Sequence, residues 1–187
     1  ILSGDQLYHM DFEEMVKHHI ERQADITIAC LPVTARDATG FGIMKVDDQG
    51  SIPRFIEKPK AELLAGWVSE VSGPHQKRGR VYMASMGIYI FNRDALRDLF
   101  DQHPEATDFG KEIIPIAIES GRKVVAYQYD GYWTDIGTIR SFFEANIELT
   151  DHIPPFNLFD SQKVVYTRGR MLPPAKFYGG TQLNRAL

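Results

Sequence analysis

For about 150 residues the sequence alternates between helical and strand periodicity, and few architectures are open to such a chain. Asp11 predicts a helix N-cap, with Glu14 completing a capping-box pattern. Phe12, Met15, Val16, His19 and Ile20 then recur at helical spacing and predict one buried face. Residues 25–31 alternate and stop at Pro32, as a strand does. Residues 42–46 and 51–57 flank Asp47-Asp48-Gln49-Gly50 and predict a hairpin. Residues 60–80 carry few apolar anchors, which predicts a short helix followed by a mobile loop. Residues 81–91 read as a strand, and Asn92 caps a helix carrying Leu96, Leu99 and Phe100. A further helix over 110–120 contains Pro115, which predicts a kink or a broken start, and it stops at Gly121. Residues 123–129 form the next strand. An amphipathic helix over 138–150 presents Ile139, Phe142, Phe143 and Ile147. The expectation is an α/β fold: a mixed, mainly parallel sheet with helices on both faces and the hairpin as an antiparallel departure.

Composition narrows the function classes. Hydrophobic residues make up 43% of 187, enough to bury a core, and the formal charge of −4 argues against a surface built for nucleic acid or anionic lipid. No apolar run approaches the ~18–20 residues of a membrane-spanning helix. The single cysteine, Cys30, excludes an internal disulfide framework and fits a cytoplasmic, reducing setting. Pro154-Pro155 and Pro173-Pro174 bracket a stretch with few helix signals, so a boundary is expected near 151, with 152–187 as a linker. Ile1-Leu2-Ser3-Gly4-Asp5 reads as the end of a buried strand running into a turn, the mark of a piece of a longer protein.

Ligands of open α/β sheets bind beyond the carboxyl ends of the strands, so polar residues just after strands carry the candidate chemistry. Asp5 and Asp135 both follow strands and sit near glycines. Two carboxylates from distant positions suit a hard cation such as Mg²⁺ that also binds phosphates, whereas each alone reads first as a turn or capping aspartate. In Phe55-Ile56-Glu57-Lys58-Pro59 the carboxylate can accept from sugar hydroxyls and the ammonium can meet a phosphate; a solvated ion pair at a strand end is the other reading. The small residues Ala84-Ser85-Met86-Gly87 point to a ligand passing close to the backbone or to a bulge, and Phe41-Gly42 opens the hairpin similarly. The six histidines have no metal-ligand spacing, Cys30 packs in a strand, and Lys77-Arg78-Gly79-Arg80 reads as a solvated turn.

In order, Leu2-Ser3-Gly4-Asp5-Gln6-Leu7-Tyr8, Phe41-Gly42-Ile43-Met44, Phe55-Ile56-Glu57-Lys58-Pro59, Ala84-Ser85-Met86-Gly87-Ile88-Tyr89, Asp108-Phe109-Gly110-Lys111-Glu112 and Gly131-Tyr132-Trp133-Thr134-Asp135-Ile136-Gly137 resemble the glucose-1-phosphate adenylyltransferase family of bacterial and plant type, the ADP-glucose pyrophosphorylases. The resemblance covers residues 1–150. Tyr166-Thr167 and Leu172-Pro173-Pro174-Ala175-Lys176 resemble that family's connection into a C-terminal left-handed β-helix. It implies that 1–151 is the C-terminal part of a nucleotidyltransferase catalytic domain and that 152–187 leads into the β-helix.

The implied activity is Mg²⁺-dependent transfer of AMP from ATP to α-D-glucose 1-phosphate, giving ADP-glucose and pyrophosphate, in glycogen or starch synthesis. By the same resemblance Asp5 and Asp135 hold Mg²⁺, Glu57 holds the glucose hydroxyls, and Lys58 holds the sugar phosphate. Ser85 and Gly42 line that pocket, Asp108 supports it less directly, and Trp133 and Tyr89 are its walls. Such transfer rests on positioning and charge neutralisation and needs no protein nucleophile. The family's N-terminal Gly-rich nucleotide loop precedes Ile1, so this piece is expected to be inactive alone. An allosteric small-molecule effector and a homotetramer of complete chains are also implied. A relative using UTP, dTTP or GTP, and a non-catalytic regulatory subunit, are the competing readings.

Overall fold

The computed structural model describes residues 1–158, 160, 161, 164–166, 169, 171 and 178–180. The chain divides into two compact units, Ile1–Trp133 and Thr134–Leu187. In chain order the first holds β1 (Gln6–Tyr8), α1 (Phe12–Glu21), β2 (Ile26–Val33), α2 (Ala35–Ala38), β3 (Gly42–Lys45) and β4 (Arg54–Glu57). A 3₁₀ turn (Ala61–Trp67), α3 (Gly73–Lys77), β5 (Tyr82–Phe91) and α4 (Arg93–Gln102) follow. A π-helical turn (Phe109–Ile113) runs into α5 (Ile114–Glu119) and then β6 (Val124–Gln128). β7 (Trp133–Asp135) spans the division, and α6 (Ile139–Glu148) belongs to the second unit.

Five strands form one sheet in the order β4-β3-β5-β2-β6. The mixed α/β class is as expected, but the sheet is not mainly parallel. β4-β3, β3-β5 and β5-β2 pair antiparallel, and β2-β6 is the parallel pairing. The departure arises because the hairpin strand β3 pairs directly with β5, which itself runs against β2, so the antiparallel sense spreads from the hairpin to the sheet centre.

β2 does not stop at Pro32 but runs on to Val33, buried on both faces. The Cys30 carbonyl accepts from Tyr129 N on the β6 side. Pro32 shares that edge by alternation, past the last β6 partner, so its missing N–H forfeits no ladder bond. On one face, Ile26, Ile28, Cys30, Met44, Met83, Tyr89 and Val124 pack with Leu99 of α4 and with Ile113, Ile114 and Ala117. On the other, Ala29, Met86 and Ile88 pack with Met15 of α1, while Val33, Ala38, Ile43 and Ala84 pack with Leu64 and Trp67. Burial pushes the Cys30 thiol up to about 12, with Asp130 adding to it, which makes Cys30 an inert core residue.

The short helix expected at the start of residues 60–80 is the 3₁₀ turn, anchored by buried Leu64 and Trp67, with Arg54 over the Trp67 ring at 4.5 Å; the stretch after it holds a second short helix, α3, with no buried residue. Pro115 sits at the start of α5, where the π-helical turn gives way to α-helix, so the broken start is present. Asp11 caps α1, accepting from Glu13 N at 2.9 Å. The face of α1 departs from expectation: Met15 and His19 are buried, but Phe12, Val16 and Ile20 are 40%, 42% and 66% exposed. Only the part of the stripe over Met86 and Ile88 meets the sheet. His19 ties α1 inward through Thr27 Oγ1 at 2.7 Å and Asn92 Oδ1 at 3.2 Å. Ile1 and Leu2 are likewise exposed rather than buried, although Ile1 exchanges both main-chain hydrogen bonds with Tyr89.

In the second unit, Thr138 and Ser141 cap α6 reciprocally. Of its residues Ala145 is buried, whereas Ile139, Phe142, Phe143 and Ile147 are exposed. The expected boundary at 151 lies inside this unit. Thr167 and residues 172–176, which carry the resemblance to a β-helix connection, lie outside the described residues. Among the described residues no helix is long and apolar enough to cross a membrane.

Met15→Ala should lower unfolding free energy by about 2–5 kcal/mol, the cost of a cavity beneath α1. Ile20→Ser on the exposed side of the same helix should stay within about 0.5 kcal/mol. Urea denaturation of both variants checks the contrast.

Candidate functional site

The hairpin register places Glu57 directly across from Gly42. Cross-strand partners share a face, and Gly42 offers no side chain, so the Glu57 carboxylate lies over the β3 backbone. A Cβ built at Gly42 would fall 2.7 Å from Glu57 Oε2, and one at Gly110 would fall 2.6 Å from the same oxygen. The carboxylate is therefore wedged between β3 and the π-helical turn. Among the described residues it is the charges of Lys58, Asp108 and Lys111, not hydrogen bonds, that act on it. Burial pushes its carboxyl above the ordinary glutamate range; Lys58 opposes the shift, Asp108 adds to it and Lys111 opposes it.

Asp108 caps the π-helical turn, accepting from Lys111 N at 2.8 Å, and its carboxylate lies 3.7 Å from Lys111 Nζ. Glu112 accepts from Thr107 N at 2.7 Å and Asp108 N at 3.0 Å, which fixes the turn from its other side. Tyr89 is buried and stacks on Phe109 with ring centroids 5.9 Å apart. Its hydroxyl lies 3.4 Å from Ser85 Oγ, and its pKa is raised by burial first and also by the negative charges of Glu57 and Asp108. Gly42, Glu57, Asp108, Tyr89 and Ser85 thus meet in one place.

Lys58 stands at the rim, exposed, with φ of 44°. A non-glycine residue in the left-handed region stores backbone strain, here directly after the strand and before Pro59. Its N–H donates to the Phe41 carbonyl at 3.1 Å, which holds the turn.

Ser85 opens a bulge in β5: the pairing with β2 slips between Ile28 and Cys30, and Gly87 takes φ of 68°. The small residues at 84–87 therefore do form a bulge. A Cβ at Gly87 would meet Gln6 Nε2 at 3.0 Å and Ser3 Cβ at 3.5 Å. Ser3 Oγ in turn donates to Asp5 Oδ1 at 2.7 Å, so Asp5 lies in the loop beside this bulge. Trp133 Nε1 reaches Gln6 Oε1 at 3.3 Å, and its ring meets Phe41 edge-on at 5.3 Å. Gly131 is accounted for by Tyr129, whose hydroxyl would lie 2.1 Å from a Cβ there, rather than by a ligand.

Asp135 belongs to the second unit. It is exposed, and its Oδ1 accepts from Gly137 N at 2.7 Å. The Asp5 and Asp135 carboxylates are thus both exposed, each with one oxygen held by a local bond. Among the described residues no group of three or more His, Cys, Asp or Glu side chains could enclose a metal by itself.

Gly110 and Gln6 also stand here, beyond the residues expected to line the site. A glycine two residues after the capping Asp108, inside a helical pattern, was the available signal for the first; nothing marked Gln6.

The raised Glu57 carboxyl sets a pH dependence. A carboxyl with a higher pKa folded than unfolded favours folding while protonated, at low pH, and that contribution is lost as pH rises through the folded value. Glu57→Gln should therefore raise the unfolding temperature at pH 7. The gain should vanish at acid pH, below the ordinary glutamate value of ~4.3. Thermal unfolding of both proteins from pH 3.5 to 8 checks it.

Compared with known proteins, residues 1–152 match the family described as Nucleotidyl transferase. The matched span takes in the whole wedge around Glu57, the bulge at Ser85–Gly87 and both aspartates. The chain belongs to the nucleotidyl transferase family.

Proposed function

We propose that this site receives α-D-glucose 1-phosphate and that the enzyme transfers AMP to it from ATP, releasing pyrophosphate and giving ADP-glucose. One observation carries the reading: Glu57 is a half-buried carboxylate to which no described residue donates, beside a lysine held at the rim. The carboxylate is partly desolvated yet its oxygens stay within reach, and sugar hydroxyls are donors of the kind it can accept. Lys58 sits next in sequence, so a phosphate on the same ligand meets an ammonium while the ring hydroxyls meet the carboxylate. Tyr89 and Phe109 supply an aromatic wall for the apolar face of a pyranose, and Ser85 adds a hydroxyl next to Tyr89.

Bound Mg²⁺ would orient a triphosphate and screen its charge. Asp5 and Asp135 are the residues assigned to hold it, on the donor chemistry described above. Lys58 holds the attacking phosphate oxygen in place and offsets repulsion between the two anionic substrates. Glu57 fixes the ring so that this oxygen, and not a hydroxyl, faces the nucleotide. No side chain in the site is positioned as a nucleophile, which suits direct displacement. The same resemblance supports a place in glycogen or starch synthesis, regulation by a small-molecule effector, a homotetramer and a cytoplasmic home.

Glucose 1-phosphate should bind this chain in calorimetry, and Glu57→Ala and Lys58→Ala should each weaken it about tenfold or more, as expected when a charged hydrogen-bonding partner is lost. Equal binding by both variants and the parent overturns the assignment of the pocket. In active enzyme carrying this chain, Lys58→Ala should raise the KM for the sugar phosphate more than it lowers kcat.

Asp5→Asn and Asp135→Asn should each lower turnover by about 10²-fold with the sugar-phosphate affinity retained. Turnover unchanged in either variant removes that residue from the metal. A preference for UTP over ATP by more than about tenfold, or 1.4 kcal/mol, would replace the adenylyl donor by a uridylyl one.

A further inference from the structure

The walls on either side of the Glu57 carboxylate are both glycine backbone, but the two glycines do different work. At Gly42 an added Cβ would meet Phe55 Cζ at 2.4 Å as well as Glu57 Oε2 at 2.7 Å, so that position also accommodates a ring packed against the core. At Gly110 the close atoms belong to Glu57 alone: Oε2 at 2.6 Å and Cδ at 3.1 Å, with Asp108 Oδ1 in ordinary contact at 3.6 Å. Gly110 is not among the glycines with positive φ, so backbone conformation does not call for it. It is buried, and its absent side chain leaves room for one thing, the tip of Glu57.

The wall that Gly110 belongs to is held firmly. Ile113 N bonds to Asp108 O at 3.1 Å across the wide π-helical turn, Asp108 Oδ1 accepts from Lys111 N, and Glu112 accepts from Thr107 N and Asp108 N. A methyl group at 110 would therefore move the flexible carboxylate rather than the turn. With Gly42 backbone on its other side, the carboxylate could yield only by leaving the wedge.

We propose that Gly110 is a positioning residue that sets the depth of the Glu57 carboxylate and, through it, the selection of one sugar 1-phosphate epimer over others. The inference rests on the reading of the site as a sugar-phosphate pocket and adds the residue that tunes it. A carboxylate held at fixed depth accepts from hydroxyls in one configuration, and an epimer with one hydroxyl reversed loses that bond. A shift on the order of 1 Å in such a group is enough to cost about 10²-fold. The selectivity thus resides in a residue that need not touch the sugar.

Gly110→Ala should lower the affinity ratio of glucose 1-phosphate over galactose 1-phosphate and mannose 1-phosphate by about tenfold or more, within the range a misplacement of this size produces. Glu57→Asp withdraws the carboxylate by one methylene. Alone it should also compress the ratio, which keeps the test alive if Gly110→Ala fails to fold. Combined with Gly110→Ala it should restore part of the ratio. A ratio unchanged in folded Gly110→Ala, or a loss just as large in the Glu57→Ala background, overturns the inference.

A second readout needs no ligand. Lys58, Asp108, Lys111 and Tyr89 are the titratable groups that face Glu57, and none of them changes in the variant. ¹³C NMR titration of the Glu57 carboxyl, assigned with Glu57→Gln, should show its pKa falling toward the ordinary range in Gly110→Ala as the group moves into water. An unmoved titration overturns the inference by itself. Absence of binding of any sugar phosphate by the unaltered chain overturns the reading of the site, and with it the selectivity assigned to Gly110.

Discussion

The half-buried carboxylate of Glu57, pressed between two stretches of main chain, is the constraint around which the first unit is arranged. The β3-β4 register delivers it, the bare backbone at Gly42 leaves it room, and the π-helical turn closes over it at Gly110. A regular α-helical start at 109 would wind more tightly, and wide π turns recur where a helix must present backbone to a functional group. Pro115 lies just past that turn, at the first positions of α5, where the helix changes from π to α winding. The irregularities of this region have one common point of reference.

Those irregularities are costs in stability. The charged form of Glu57 is opposed by burial, Tyr89 is buried beside it, and Lys58 holds a left-handed backbone. They are borne by a core of ordinary kind: β2 is buried along both faces, and the aromatic rings of Tyr89, Phe91, Phe100 and Phe109 pack around the base of the π-helical turn. The sheet supplies rigidity on the same side as the site, since Met44, Phe55 and Tyr89 all belong to the cluster that Leu99 and Ile113 cover. A shift of this cluster would move Glu57 and Tyr89 together.

Much of this was legible in the sequence where local chemistry decides the outcome. The hairpin around Asp47, the helix start at Asp11, the broken helix at Pro115 and the bulge at Ser85 follow from turn, cap and ring chemistry. What was not legible depends on partners far along the chain. Strand direction follows from which strands pair, and residues 42–45 show no local preference for β5. Pro32 stays in β2 because β6 ends first, which no property of residues 25–33 announces. The exposed stripe of α1 carries the same spacing as a buried one. Glu57 and Lys58 could be singled out because they follow apolar residues at a strand end, just before Pro59. Gly110 could not, because a glycine whose purpose is space looks like any other until the neighbour that fills the space is located.

Lys58 shows how position and strain combine. A proline presses the residue before it toward extended backbone, yet Lys58 adopts φ of 44° ahead of Pro59, a conformation that costs about 1–3 kcal/mol for a side chain of this kind. Extended backbone at 58 would continue β4 and, by alternation, send the lysine to the face opposite Glu57. The left-handed turn breaks that alternation, and the Lys58 N–H to Phe41 carbonyl bond holds the break in place. The strain at Lys58 and the missing side chains at Gly42 and Gly110 thus lie around one carboxylate, whose charge the neighbouring lysine favours.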